Sequence, residues 1–478
     1  MVAPPGAVSR RGRKGDQPTI MGVTGPLCDK IASIGADQIG DDAIVKARRL
    51  LLDGIGVAVA GARIETAPRI LADHLREQAS KPESSALGFG FRLAPVPAAL
   101  LNGVSMHVLD FEPMWNPATH ALSPALAAVL ALAESSGANG RDTLAALVKG
   151  VEIQGWIRKA SGHVESRDLK FHPPGMVGPI GAAVAAAHLL RLDAHRLAHA
   201  IGIATSRCGS LTSNTGTMTK STHCGYAAAL GLESALLAAR GFTGNTAAFD
   251  APDGYVQAFL PPDFDREMLL RFGPPYRLVD PGYTIKIFPC KFSTHYGITA
   301  GLAARPKIPS PDSICDIRML APVVLTADRP HPKTGLEGKF SVQYTLALAL
   351  LDGAVALSSF TDERLARADM QTLLDKITVT MSPDITTEFN AGRHVDLEIR
   401  LADGTVLRER CERPRGSWGA PPISDDEHVA KVRDCLAGSL SPPAVDECIE
   451  LSSRFDRLEA DGVRRLLSLA RAEDGARC

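Results

Sequence analysis

Between His107 and Pro124 the chain reads HVLDFEPMWNPATHALSP, which puts two histidines, two acids and a tryptophan between stretches made mostly of Ala, Leu, Gly and Val. An imidazole moves protons near neutral pH and a carboxylate beside it fixes its orientation, so Asp110 and His120 form a candidate acid/base pair. Pro113 and Pro117 each remove a backbone donor and push the preceding residue out of the helical region, which predicts an extended loop here. Loops held by packed helices are where catalytic groups usually sit. A solvated loop that merely happens to contain an acid and a histidine is the competing reading.

Three further polar segments adjoin apolar helices. FHPPGMVG places His172 before two prolines at a helix start. GTMTKSTHCG carries Lys220 and His223; Thr219 stands where a phosphate loop needs glycine, so a nucleotide is not the ligand. YTIKIFPCKFSTHYG carries Lys286, Lys291 and His295. Taken singly, these are a helix-start turn, a solvated lysine and a basic linker. Taken together, acid, imidazoles and ammonium groups are what a site for a polycarboxylate requires. Removing a proton from carbon beside a carboxylate builds enolate-like negative charge, which fixed cations stabilise while a positioned imidazole carries the proton.

Composition narrows the partners. Lys and Arg number 52 against 53 Asp and Glu, so no polyanion such as nucleic acid is expected. The nine cysteines lie scattered without a Cys-x-x-Cys pair, the usage of a reducing compartment, and they offer no zinc or iron–sulfur ligand set. No metal and no cofactor are expected, and any dehydration would be cofactor-independent. The longer apolar runs break within about 18 residues, short of a bilayer span, so a soluble, cytoplasmic protein is expected. Arg10, Arg11, Arg13 and Lys14 lie in a segment without an apolar signal core, and residues 1–20 are read as a disordered tail.

The elements that must hold these groups follow from periodicity. A chain of 478 residues exceeds one compact core. From about residue 26 to 275, apolar residues recur at helical spacing in segments beginning at Asp41, Ala94, Ser123, Arg141, Pro179 and Gly225. Near Pro281 the texture changes. ICDIRML, APVVLTAD, DKITVTM and HVDLEIRL alternate like strands, with HVDLEIRL-ADG-TVLRERCE read as a hairpin. FSVQYTLALALLDG and FTDERL read as helices between them. After RPRGSWGAPP the pattern returns to helix, expected to pack on the first part. The expected fold is mainly α with an α+β lid: a helical bundle over 21–280 and 416–478, with an inserted α+β domain over 281–415 and a ligand cleft at the boundary.

LLDGIGVAVAGAR, LDFEPMWNPATH, FHPPGMVGPIGAA, GTMTKSTHCGYAAALGLESALLAARGFTGN, IKIFPCKFSTHYG and KFSVQYTLALALLDG follow one another in an order that resembles the MmgE/PrpD family over residues 26–475. That family includes dehydratases, decarboxylases and an epimerase of small polycarboxylates. The resemblance implies a homodimer, a helical domain made from both chain ends, an α+β lid, and an active site between them. It also implies a lyase acting on a methylcitrate- or aconitate-like di- or tricarboxylate, with epimerisation or a silent carboxylate- or partner-binding role as alternatives. By position it assigns His120 as the principal proton carrier, Asp110 as its partner, and His172, Lys220 and Lys286 as carboxylate-binding or catalytic groups, with His223 beside them. Three positions depart from the decarboxylase pattern: Met114 replaces a threonine, Thr326 a tyrosine and Lys291 a histidine. Each of these three is expected to touch substrate.

Overall fold

The computed structural model describes residues 22–162, 170–388 and 392–472. The tail expected over residues 1–20 lies outside them.

Ten helices form the first part: α1 (Thr24–Ser33), α2 (Asp41–Ile64), α3 (Thr66–Glu77), α4 (Pro95–His107), α5 (Leu122–Ser136), α6 (Gly140–Ala160), α7 (Pro173–Leu189), α8 (Ala194–Thr205), α9 (Thr219–Ala239) and α10 (Tyr255–Phe259). Their starts carry the expected chemistry. Asn139 and Asp193 accept from the third residues of α6 and α8, and α4 and α7 open on prolines, whose missing N–H costs nothing there. A small hairpin, β1 (Ser84–Ser85) with β2 (Arg92–Leu93), precedes α4.

Helices α4 and α9 touch backbone to backbone. A Cβ at Gly103 would lie 2.8 Å from Gly225 Cα, and one at Gly225 would lie 2.4 Å from the Leu100 carbonyl oxygen. Only glycine permits that approach. It brings the C-terminal end of α4, at His107, beside the N-terminal turn of α9, at Lys220.

After the short strand β4 (Tyr283–Thr284) the chain builds the second unit: α11 (His295–Ala304), β5 (Ile314–Pro322), α12 (Gly335–Gly338), α13 (Val342–Leu351), α14 (Asp362–Ala366), α15 (Ala368–Leu374), β6 (Ile377–Ser382), β7 (Val395–Leu401) and β8 (Val406–Cys411). Its sheet runs β6-β5-β7-β8, with β5 parallel to β6 and antiparallel to β7, and β7–β8 forming the expected hairpin. Val395, Leu397, Ile399 and Leu401 alternate inward and share a core with Ile298, Leu346 and Leu350 of α11 and α13. This is a helical body with a smaller inserted mixed-sheet unit, as the patterning predicts.

The chain then returns to the body as α16 (Asp425–Ala437), α17 (Pro442–Ser453) and α18 (Ala460–Ala470). Ser424 and Glu427 cap α16 reciprocally. Leu436, Leu451, Phe455 and Leu466 are buried in one cluster with Ile44, Leu51, Leu126 and Leu144. No helix among the described residues is long and apolar enough to cross a membrane.

Two local expectations are corrected. APVVLTAD is not a strand of its own: Ala321 and Pro322 finish β5, and a 3₁₀ turn follows at Leu325–Ala327. Pro322 has no N–H with which to continue the ladder. The helix expected from Gly225 starts at Thr219, so Lys220 and His223 occupy its first turns. Their side chains face polar groups instead of the core, which hides the apolar period there.

Candidate active site

The segment after α4 is short and tied at both ends. Its strand β3 (Met114–Trp115) pairs with β4, Met114 opposite Thr284 and Trp115 opposite Tyr283. The loop is thereby stitched to the chain leading to Lys286. Asp110 takes φ +51°, a left-handed conformation that costs a non-glycine residue strain and is held by surrounding contacts.

Those contacts are ionic. Lys220 Nζ donates to Asp110 Oδ2 at 2.7 Å. Lys286 donates to Asp110 Oδ1 and, at 2.7 Å, to the Asp110 carbonyl. Asp110 is 2% exposed. Burial alone would raise its pKa, but the two ammonium groups outweigh burial and hold the carboxyl well below its ordinary value.

A second acid, Glu112, is wholly buried and faces both His107, at the end of α4, and His120. Lys220 Nζ lies 2.9 Å from His107 Nε2. An ammonium only donates, so Nε2 accepts and the imidazole proton sits on Nδ1, which faces Glu112. His120 Nδ1 stands 2.9 Å from the same carboxylate oxygen of Glu112, while its Nε2 lies 3.9 Å from Asp110. His120 is therefore bracketed by two acids. His172 packs behind it, ring centroids 6.0 Å apart, and its Nδ1 lies 3.1 Å from His223 Nδ1.

Burial, reinforced by Lys220, pushes His107 down to about 3 and His223 to about 4, and the same causes hold His172 well below the ordinary value. These three imidazoles are neutral at pH 7. Glu112 is lowered because His107 and His120 overcome its burial. Ring nitrogens of His107, His120 and His172 come within 4.8 Å of one another, a spacing that three metal ligands adopt. The fixed ammonium of Lys220 against His107 Nε2 disfavours a cation there.

Over this network opens a cavity of about 530 Å³, within the range of small-molecule sites. Asp110, His120, His172 and Lys220 line it, as do Met114, Lys291 and Thr326. Lys291 Nζ donates to Thr326 Oγ1 at 2.9 Å, and burial holds its ammonium down to about 8. Met114 is buried with Phe292 and Trp418. Arg158, Arg277 and Arg393 line it too, so cations outnumber the lining acids Asp110 and Glu388.

Seven of the nine residues singled out in the sequence thus share one cavity. Lys286 and His223 do not line it: Lys286 is fully buried behind Asp110, and His223 is reached through His172. His295, from the same motif as Lys286, packs against Phe288 and Phe292. Sequence reasoning misses His107 and Glu112 as functional residues, although both lie in the segment richest in candidate groups. Spacing alone does not show that the last turn of α4 aims His107 at α9.

A helical body carries an inserted mixed-sheet unit, and a buried acid–imidazole–ammonium cluster under a cation-rich cavity supplies the group types that proton transfer on an anion requires. The chain belongs to the MmgE/PrpD family, matching its N-terminal domain over residues 25–267 and its C-terminal domain over residues 288–456. It is 30% identical to cis-aconitate decarboxylase of Mus musculus over 95% of each chain. It is also 30% identical to the Homo sapiens protein of that name, over 91% of this chain and 92% of that one. The 2-methylcitrate dehydratase of Cupriavidus necator is 25% identical over 88% of this chain and 92% of its own.

Proposed function

We propose that the protein is a cofactor-independent lyase that eliminates water or carbon dioxide from a small di- or tricarboxylate. The observation that carries this reading is the surplus of cations around a cavity floored by Asp110, His120 and Lys220. Substrate carboxylates meet Arg158, Arg277, Arg393 and Lys291. His120, bracketed by Asp110 and Glu112, carries the proton at the carbon beside a carboxylate. Lys220 spends two donors on Asp110 and His107 and borders the cavity, where its charge offsets the enolate-like oxygen. His172, neutral at pH 7, accepts or donates a hydrogen bond to the same substrate. The names of the relatives, a decarboxylase and a dehydratase of tricarboxylates, agree in substrate class.

Met114, Thr326 and Lys291 stand where the decarboxylase pattern has Thr, Tyr and His, which removes one hydroxyl, exchanges a phenol for a shorter alcohol and puts an ammonium in place of an imidazole. The preferred acid therefore differs in shape or charge from cis-aconitate. An epimerase is the second reading, favoured by a second imidazole, His172, that lines the cavity besides His120, since inversion needs one group to take the proton and another to return it. A homodimer and a cytoplasmic location complete the proposal.

The test is incubation of the purified protein in deuterated water with 2-methylcitrate, citrate, cis- and trans-aconitate and iminodisuccinate, followed by proton NMR. Loss of water or carbon dioxide supports the lyase. Deuterium exchange with inversion and no loss of mass supports the epimerase. No reaction with any of them, from protein that binds none of them, overturns the carboxylate reading.

A further inference from the structure

Behind the loop, on the side away from the cavity, lies a second buried ionic group. Asp53 of α2 is fully buried. Its carboxylate accepts from Lys431 Nζ at 2.8 and 3.1 Å and lies 3.0 Å from His428 Nε2, both residues on one face of α16. Burial opposes the charge on Asp53, yet Lys431 and His428 hold its carboxyl below the usual value. Burying an acid and a lysine is costly, and a plain hydrophobic contact between α2 and α16 would serve packing as well.

The remaining donor of Lys431 points at the loop. Nζ donates to the Phe111 carbonyl at 2.9 Å and stands 4.0 Å from the centre of the Phe111 ring. That carbonyl belongs to the peptide joining Phe111 to Glu112, the acid that holds His107 and His120. The preceding carbonyl, of Asp110, is held by Lys286. Two successive peptides of the loop are thus each fixed by an ammonium, one from the chain approaching the inserted unit and one from the C-terminal helices. The residue between those two peptides is Phe111, and Asp110, with its left-handed backbone, precedes the first of them.

We propose that Lys431, oriented by Asp53 and His428, is a positioning residue: it clamps the Phe111 carbonyl so that Asp110 and Glu112 present their carboxylates to Lys220 and His120. Lys431 does not line the cavity and touches no group there directly. Its effect on chemistry passes through the loop backbone.

The experiment compares the full-length protein with Lys431→Met, and with Asp53→Asn/Lys431→Met, which leaves no unpaired buried acid if the single variant does not fold. Hydrogen exchange of the peptide spanning residues 108–116 is followed by mass spectrometry, with α7 as the internal reference. Loss of one charge-assisted hydrogen bond predicts exchange on the order of 10–100-fold faster in that peptide, with α7 unchanged. With an acid that the wild type turns over, kcat falls about tenfold or more while KM stays near its wild-type value, because the loop's proton-transfer geometry is lost and the cavity's cations are not. Unchanged exchange over residues 108–116 in a folded variant overturns the proposal. So does faster exchange spread evenly through α2, α16 and the loop, which marks Lys431 as a packing residue. Hydrogen exchange needs no substrate, so a failure of the clamp is distinguishable from a failure of the lyase reading.

Discussion

Replacing Lys220 with methionine keeps the unbranched stem, one atom shorter, and deletes the charge that touches both Asp110 and His107. In the native site the ammonium stands 2.9 Å from His107 Nε2. Two unit charges at that distance repel by roughly 6 kcal/mol at an effective dielectric constant near 20, or about four pKa units. His107 is held down to about 3, with burial the larger cause and Lys220 the next. Burial persists in the variant and the attraction of Glu112 is left unopposed, so the expected rise is about one to three units. Proton NMR of the histidine Cε1–H resonances between pH 4 and 8, assigned with a His107→Asn partner variant, reads this directly. In Lys220→Met a resonance that is silent in the wild type gains an inflection in this range. If no histidine gains one, Lys220 does not set the state of the site and the electrostatic account is wrong.

Four further outcomes are expected. His107 and His172 are neutral when folded but have ordinary values when unfolded, so the unfolded chain binds more protons below about pH 6.5. Stability therefore falls as pH drops from there, by up to about 1.4 kcal/mol per pH unit for each such histidine, before the depressed carboxyls of Asp110 and Glu112 begin to protonate. Thermal melts from pH 8 to 4.5 check this, and a flat profile contradicts it. Asp110→Asn strands two buried ammonium groups, a loss on the order of 3–5 kcal/mol visible in denaturant unfolding, and abolishes turnover. Gly225→Val forces a side chain into the Leu100 carbonyl, costing about 1–3 kcal/mol or more, and parts Lys220 from His107, so activity drops beyond what the melt explains. Thr326→Val frees Lys291 from its hydroxyl partner, and steady-state kinetics on the accepted acid show KM moving more than kcat if Lys291 anchors a carboxylate.

Much of this architecture follows from local pattern. The Ala- and Leu-rich periods mark α5 and α6, the alternation of HVDLEIRL marks β7, and the two prolines mark the loop after α4. Those signals reflect core burial, which repeats with the helix or the strand. Site residues break the period because they face polar partners, and this is why periodicity places the start of α9 too late. His107 escapes notice for the same reason, as the polar end of an apolar helix. The pairing of Asp53 with Lys431, and of Lys220 with Asp110, leaves no mark in a linear reading, since a charge carries no record of its distant partner. Pro322 is legible in principle: a residue without an N–H ends a ladder, and the turn carrying Thr326 begins just after it.

The loop that holds Asp110 is gripped by groups far apart in the chain: Lys220 from α9, Lys286 after β4, and Lys431 from α16. During synthesis, α4 and α9 can cross as soon as both have left the ribosome, yet the loop between α4 and α5 must wait for more than half of the polypeptide to follow. The full set of contacts on that loop is therefore complete only once residue 431 has been made. A chain ending before residue 431 carries the candidate site's side chains but lacks one of the three ammonium groups that grip their loop.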